Sequence, residues 1–205
     1  MEDWLARLCV RHNVEIVHEY NQSEDARTRK DALTEEGWCY GIVLQWLRCK
    51  RQAVDFWSWV NTADAEAKIR YPMAFQALAK KPVSGGKLGG VADKYKDSAL
   101  LLKPYGLKQE FFSEEILKQS ASSIVTELQC NKATYFILTI AGDGAHALGV
   151  HYSQLYLSFF DPNAGEFAFR RDSIGEFTEW LKWYLTGQGY WATYTGFYVQ
   201  GFNPD

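Results

Sequence analysis

The sequence predicts an α+β fold in which helices come first and an antiparallel sheet follows. Two observations predict it. Before residue 130 the apolar residues recur mainly at helical spacing, as in the stretch 38–51. From residue 133 onward, short runs rich in aromatic and β-branched residues follow one another, separated by turns that contain Gly or Ser. Helices followed by strands are typical of α+β proteins, and we expect one helix of the first part to pack on the sheet.

Several segments of the first part have helical periodicity. The helix that begins near Trp38 ends with Lys50 and Arg51, whose charges suit the C-terminal end of a helix dipole. Pro72 is expected to kink or split a later helix. The predicted helical segments are 2–20, 38–51, 63–81, 91–102 and 113–129, and within 2–20 the helix gives way to an extended piece. The predicted surface loops are 21–36 and 84–90.

The second part contains the strands. Ser173 is predicted to cap a helix that runs to about residue 185, with Glu176 at the capping-box position. The predicted strands are 133–141, 145–152, 155–160, 166–170 and 192–199.

The composition indicates one globular domain. Hydrophobic residues make up 47% of the 205 residues, and 8 Trp, 12 Tyr and 12 Phe provide for an aromatic-rich core. We expect a single domain over residues 1–205, with 1–35 as a candidate for a loosely packed N-terminal extension. The formal net charge of −3 is too close to neutral to favour nucleic acid or an anionic membrane. No apolar run is long enough to span a bilayer.

The four cysteines are expected to be thiols. The N-terminus lacks the basic and apolar regions of a secretory signal, so we expect the chain to mature in a reducing cytoplasm. The cysteines, Cys9, Cys39, Cys49 and Cys130, are scattered, and none has zinc-site spacing to another Cys or His. We therefore expect neither a metal nor a cofactor.

Cys39 lies where a nucleophile is expected, because it opens a helix within Gly37-Trp38-Cys39-Tyr40-Gly41. At a helix N-terminus, the dipole and the free backbone N–H groups lower the pKa of a thiol and can receive an oxyanion. Gly37 would let the chain turn sharply into the helix, and Gly41 would leave room beside the sulfur. A buried cysteine in an aromatic helix is the alternative interpretation.

His146 and Asp161 are the candidates for a base and for the carboxylate that orients it. His146 stands among small residues, and Asp161 closes an aromatic strand before the turn that contains Asn163. Adjacent strands can bring the two side chains together, and the carboxylate would then fix the imidazole tautomer. An ordinary turn opener is the alternative for Asp161. His151 competes with His146, but strand alternation puts the two on opposite faces, and we favour His146.

These three blocks resemble the YopT/AvrPphB family of bacterial effector cysteine proteases. The similarity covers roughly residues 36–48, which include Trp46, and 144–151 and 158–169. The third block, Phe-Phe-Asp-Pro-Asn-x-Gly-Glu-Phe, is the most specific. The resemblance implies a papain-like catalytic domain in which the nucleophile helix packs on the antiparallel sheet. It also implies Cys39 as nucleophile, His146 as general base and acid, and Asp161 as the orienting carboxylate.

The oxyanion-hole side chain departs from the papain-like pattern. Such enzymes usually carry Asn or Gln a few residues before the cysteine, where this chain has Leu-Thr-Glu-Glu over residues 33–36. Thr34, or Asn21 or Gln22 from the preceding loop, is the candidate donor. Loss of one such donor costs on the order of 100-fold in rate or more.

We therefore predict a cysteine protease, a bacterial effector or toxin that cleaves a host or rival protein. It would leave the bacterial cytoplasm without a signal peptide and enter the target cell. The same triad would serve a glutamine deamidase, a transglutaminase or an amidase, and a non-catalytic papain-like binding module is the third hypothesis. The expected partner is a protein substrate, not nucleic acid or a membrane, and a secretion chaperone is a further candidate.

Overall fold

The computed structural model describes residues 2–25, 38–79, 98–113, 115–117, 120–142 and 145–205. Its helices are α1 (Asp3–Arg11), α2 (Cys39–Gln52), α3 (Phe56–Trp59), α4 (Ala63–Ala79), α5 (Ala121–Cys130), α6 (Ile174–Gly187) and α7 (Tyr190–Thr193). Residues 98–102 are also helical and lead into a 3-10 turn, Lys103–Tyr105. The strands are β1 (Glu15–Glu19), β2 (Leu107–Phe112), β3 (Ile116–Leu117), β4 (Tyr135–Gly142), β5 (Ala145–Tyr152), β6 (Tyr156–Asp161), β7 (Gly165–Arg170) and β8 (Tyr194–Pro204).

Within these ranges, eight strands form one antiparallel sheet. Seven of them follow the order β1-β7-β6-β5-β4-β8-β2, and β3 pairs with β8. The strands β4 to β7 are consecutive neighbours in the chain and in the sheet. The histidine strand β5 therefore lies between β4 and the strand β6 that ends at Asp161.

Both faces of the sheet are covered, and strand alternation decides which residue faces which layer. Phe136, Leu138 and Ile140 of β4 belong to a core that includes residues of α1, α5, α6 and α7. Tyr135 and Ile137 of the same strand belong to a second core that includes residues of α2 and α3. A strand buried on both faces is apolar at every position, which is why β4 has an almost continuous apolar sequence.

The helix α2 lies directly on the second face of the sheet. Every residue from Cys39 to Cys49 is buried. The Trp46 ring stacks on Phe160 with centroids 5.2 Å apart. It also passes so close to Gly149 that a Cβ there would lie 2.9 Å from the ring. A glycine in β5 therefore lets the helix approach the strand closely.

A buried carboxylate, Glu166 on β7, links the sheet to two helices. Its Oε1 accepts from Lys50 Nζ at 2.6 Å, and its Oε2 accepts from Trp46 Nε1 at 3.1 Å and Trp57 Nε1 at 3.0 Å. Glu166 is 2% exposed, so its charge depends on these donors for the hydrogen bonds that water would supply. Three bonds from α2 and α3 thus hold both helices in register with β7.

The two strands at the ends of the sheet order are irregular. The β1–β7 pairing shifts register between Ile16 and His18. The β2–β8 pairing shifts between Gln109 and Phe111. Both irregularities interrupt a regular ladder at the margin of the sheet, as β-bulges commonly do.

Most predicted elements are confirmed, and the errors have physical causes. The helix predicted over 63–81 is α4, which Pro72 does not split. The helix predicted over 113–129 is wrong in its first half, since 116–117 pair with β8. The strand β2 was not predicted, because its Lys, Gln and Glu are poor strand formers and only pairing with β8 makes it extended.

Other predictions concern termini and caps. The predicted Ser173 capping box is wrong, because the Ser173 side chain makes no cap bond and Glu176 binds His12 instead. The loop 84–90, most of 91–102 and the part of 21–36 beyond residue 25 lie outside the described residues. The single domain with a loose segment over 1–35 stays a prediction, although Leu5 and Leu8 of that segment are buried in the first core.

None of the helices in the described ranges has the length and apolarity needed to cross a membrane.

Gly41 tests how tightly the first turn of α2 is packed. A Cβ at this position would lie 2.3 Å from the backbone oxygen of Ile69 in α4, so Gly41 serves the contact between these two helices. Gly41→Ala should therefore lower the free energy of unfolding by about 1–3 kcal/mol, although alanine favours helix. Urea denaturation checks this. The control is Gly175→Ala in α6, where an added Cβ meets nothing within 4 Å and stability should stay equal or rise. Equal gains in both variants would contradict the described packing.

Candidate active site

The first residue of α2, Cys39, is almost completely buried, with 5% of its surface exposed. Its sulfur lies in hydrogen-bonding contact with the His146 side chain. The backbone N–H groups of Tyr40, in the first turn of α2, and Ala147, in β5, also lie near the sulfur and help to lower the pKa of the thiol. The helix N-terminus and one strand thus both direct N–H groups at the sulfur, and both favour a thiolate.

His146 meets Asp161 where β5 and β6 separate. The β5–β6 pairing runs from Tyr152–Leu157 to Gly149–Phe160 and ends there, just before His146 and Asp161. In the gap, His146 Nε2 lies 2.9 Å from Asp161 Oδ1. Because Nε2 faces the carboxylate, Nδ1 is left for the sulfur. The structure therefore brings Cys39, His146 and Asp161 into one line of contacts.

The other strand histidine lies elsewhere. His151 stacks on Tyr135 with ring centroids 4.7 Å apart, within the layer that α2 covers. Burial and the nearby Lys50 lower the pKa of His151 to about 4, so it is neutral at neutral pH. His151 is therefore a neutral, half-buried imidazole that packs on a tyrosine ring, and it makes no contact with Cys39 or Asp161 among the described interactions.

The Asp161 carboxylate is fully buried and fully hydrogen-bonded. Besides His146, its Oδ1 accepts from the backbone N–H of Asn163 at 2.7 Å. Its Oδ2 accepts from the Tyr184 hydroxyl at 2.6 Å and the Tyr190 hydroxyl at 2.9 Å. Four donors match the four lone-pair positions of a carboxylate, which makes an ionised group tolerable without water.

The three side chains shift one another's ionisation. Burial acts to raise the pKa of the Cys39 thiol, but the charge and hydrogen bond of His146 outweigh it and lower the pKa below the usual value. Burial acts to lower the pKa of His146, but Asp161 and Cys39 raise it to about 10. Burial acts to raise the pKa of Asp161, but His146 and the hydroxyl and N–H donors lower it. These shifts all favour a thiolate and an imidazolium beside an ionised carboxylate over the neutral thiol and imidazole.

The remaining cysteines differ from Cys39. Burial raises the pKa of Cys9 to about 11 and also raises that of Cys49. Cys130 is exposed on α5. Within the described ranges, no three His, Cys, Asp or Glu side chains form a group that could hold a metal ion.

Sequence reasoning missed Tyr184 and Tyr190, because tyrosines in apolar segments look like ordinary core residues and nothing in their spacing points to a carboxylate. The oxyanion-hole side chain stays a prediction. Thr34 and Gly37 lie outside the described residues. Asn21 bonds to Ser23, and Gln22 donates to Asn163 Oδ1 at 2.7 Å.

Comparison with protein families gives one decisive result. The model of the Peptidase C58 family, described as Yersinia/Haemophilus virulence surface antigen, matches residues 8–192. The chain belongs to this family. The Peptidase C58 match includes all three candidate residues. A comparison with curated protein sequences gives no significant match.

Three solved structures are similar to this chain to different degrees. The Pseudomonas avirulence protein AvrPphB superimposes with a TM-score of 0.59 at 12% identity, over 84% of this chain and 94% of that one. The YopT domain of the Pasteurella multocida PfhB2 toxin gives 0.35 at 19% identity, over 89% and 91%. The ubiquitin-specific protease of the murine cytomegalovirus tegument protein M48 gives 0.47 at 14% identity, over 94% and 87%.

Several predictions are confirmed by these findings. The shared fold with AvrPphB confirms the papain-like α+β fold, and the family match confirms the resemblance to the YopT/AvrPphB family. As a member of a peptidase family, the chain is a cysteine peptidase.

The ionisation of Cys39 predicts its reactivity. Iodoacetamide attacks thiolates, so at slightly acidic pH Cys39 should be alkylated faster than Cys9, Cys49 or Cys130. Mass spectrometry of tryptic peptides measures each rate. His146→Ala should abolish the advantage, whereas His151→Ala, a change five residues along the same strand, should preserve it. Equal rates for all four cysteines in the native protein would contradict the described electrostatics.

Proposed function

We propose that this chain is a thiol protease delivered as a bacterial effector into a host or rival cell, with Cys39 as nucleophile, His146 as general acid and base, and Asp161 as the orienting carboxylate. The observation that carries the proposal is the line of contacts from the Cys39 sulfur through the His146 ring to the Asp161 carboxylate. Nucleophile, base and orienting group in hydrogen-bonding sequence are the signature of nucleophilic acyl transfer.

Acylation would begin with attack of the Cys39 thiolate on the carbonyl carbon of a peptide bond. A C–S bond forms, and the carbonyl electron pair moves to oxygen. Backbone N–H groups at the start of α2, such as that of Tyr40, point toward this region and are candidates to stabilise the oxyanion. The proton on His146 then passes to the amide nitrogen, the C–N bond breaks, and the amine leaves.

Deacylation would return the site to its starting state. His146, now neutral, takes a proton from water as the water oxygen attacks the thioester carbon. The C–S bond breaks with the electron pair on sulfur, and the product acid departs. Asp161 holds Nε2 throughout, so that Nδ1 stays directed at the sulfur and the incoming water.

The effector role rests on the family. Peptidase C58 is described as a family of virulence surface antigens, and AvrPphB is an avirulence protein. We therefore propose a protein of the invaded cell as substrate. Export from the bacterium and a secretion chaperone remain part of this proposal.

The test uses three matched proteins and two lysates, one eukaryotic and one bacterial. Native protein, Cys39→Ala and Cys130→Ala are incubated with each lysate, and new peptide N-termini are identified by mass spectrometry. Native protein and Cys130→Ala should generate the same new N-termini, because Cys130 is an exposed thiol away from the site. Cys39→Ala should generate none, since loss of a nucleophile typically costs more than roughly 10³-fold in rate.

The other outcomes are equally informative. Cleavage by Cys39→Ala would refute the proposed nucleophile. Substrates whose Gln side chains become Glu while the backbone stays intact would replace the protease with a deamidase that uses the same thiol. Absence of any change with native protein in both lysates would favour a non-catalytic module.

A further inference from the structure

Two tyrosines from separate helices converge on one oxygen of the Asp161 carboxylate. Tyr184 comes from α6 and Tyr190 from α7, and their hydroxyls lie 2.6 and 2.9 Å from Oδ2. Tyr184 and Asp161 are fully buried, and Tyr190 is 6% exposed. The other oxygen, Oδ1, faces His146. The tyrosines therefore occupy the side of the carboxylate opposite the imidazole.

The surrounding amides fix the direction of these hydrogen bonds. Asn163 Nδ2 donates to the Tyr190 oxygen at 3.0 Å, and Gln188 Nε2 donates to the Tyr184 oxygen at 3.5 Å. The Asn163 amide is itself oriented by Gln22, which donates to its Oδ1. Each phenol has one proton to donate. With an amide donating to its oxygen, each phenol directs that proton at Asp161.

The tyrosines stay protonated, so they remain donors. Burial and the nearby Asp161 charge raise the pKa of both phenols. The titratable groups that face Asp161 are His146 from β5, Tyr184 from α6, Tyr190 from α7 and Tyr194 from β8, with Cys39 of α2 beyond the imidazole. Of the groups facing it, His146 is the cation, and Tyr184 and Tyr190 are the neutral tyrosines that donate hydrogen bonds to it.

We infer that Tyr184 and Tyr190 are positioning residues of the active site, which keep the buried Asp161 carboxylate ionised and aimed at His146 and thereby set the lowest pH at which Cys39 is a thiolate. This inference rests on the proposed thiol-protease function. A buried carboxylate without donors takes up a proton, because burial penalises its charge. Neutral Asp161 no longer stabilises the imidazolium, and without the imidazolium the thiol keeps its proton. The two hydroxyls thus act on the nucleophile through two intervening groups.

The experiment measures the rate of Cys39 alkylation by iodoacetamide as a function of pH, by mass spectrometry of the Cys39 peptide. As the pH increases, the rate for the native protein should first rise where the Cys39 thiol loses its proton while His146 is still an imidazolium. The pH of this first rise is the quantity compared between variants. The variants are Tyr190→Phe, Tyr184→Phe and the double change, which keep both aromatic rings and remove only hydroxyls. In the double variant this first rise should move to higher pH by about one unit or more, and in each single variant by less.

The chain offers a matched control. Tyr152 carries a buried hydroxyl for which the described structure shows no hydrogen-bond partner. Tyr152→Phe should leave the pH of the first rise unchanged, and thermal unfolding of all variants reports stability separately. A purely structural role for Tyr184 and Tyr190 would lower the unfolding temperature without moving this pH.

The outcomes separate the two proposals. A native profile with the early rise, unchanged in Tyr190→Phe and in Tyr184→Phe, overturns the inference and leaves the protease proposal standing. A native protein in which Cys39 ionises like an ordinary thiol overturns the protease proposal and the inference together. If the double variant fails to fold, Tyr190→Phe decides the matter, because Tyr190 lies in a short helix at the margin of the core.

Discussion

The position of helix α2 on the sheet is the constraint on which the rest of the structure depends. Cys39 and His146 belong to segments more than 100 residues apart in the sequence. Local structure does not bring them together, so their contact depends on how α2 packs on the sheet. The bonds from Glu166 to Lys50, Trp46 and Trp57 fix the helix against β7. Because α2 is one continuous helix that is buried from Cys39 to Cys49, this anchoring at its C-terminal half also fixes its first residue beside β5.

The third sequence block, residues 158–169, contains two buried carboxylates, Asp161 and Glu166, whose partners lie on opposite faces of the sheet. Glu166 pairs across the hairpin with Phe160, and both contact Trp46 on the α2 side. Asp161 pairs with Gly165 and bonds to tyrosines of the opposite layer. Gly165 adopts φ +121°, and a Cβ there would strike the backbone of His18. One short hairpin thus organises the helix that carries the cysteine and the partner of the histidine.

Much of the fold and of the candidate active site can be predicted from the sequence, and the rest depends on tertiary contacts. Helix α2 and strands β4 to β7 follow from local periodicity. The small residues around His146 instead suggest an accessible ring, whereas the structure buries it with 4% of its surface exposed. Periodicity does not reveal β2, which exists through its pairing with β8, nor the role of Gly41, which faces α4 rather than the sulfur. The tyrosines at Asp161 were equally hidden, because a hydroxyl in an aromatic core is recognisable as a donor only once its acceptor is located.

The irregular margins of the sheet affect the behaviour of the molecule in a crowded solution. An exposed, straight edge strand invites another chain to add to it, which is a common beginning of aggregation. Here β1 bears Glu15 and Glu19 and β2 bears Lys108 and Glu110, and each strand breaks its ladder once. Charge and a local twist together make both edges poor templates. The apolar strands lie in the middle of the described sheet and the two charged, irregular strands lie at its margins, an arrangement that disfavours edge-to-edge pairing with another chain.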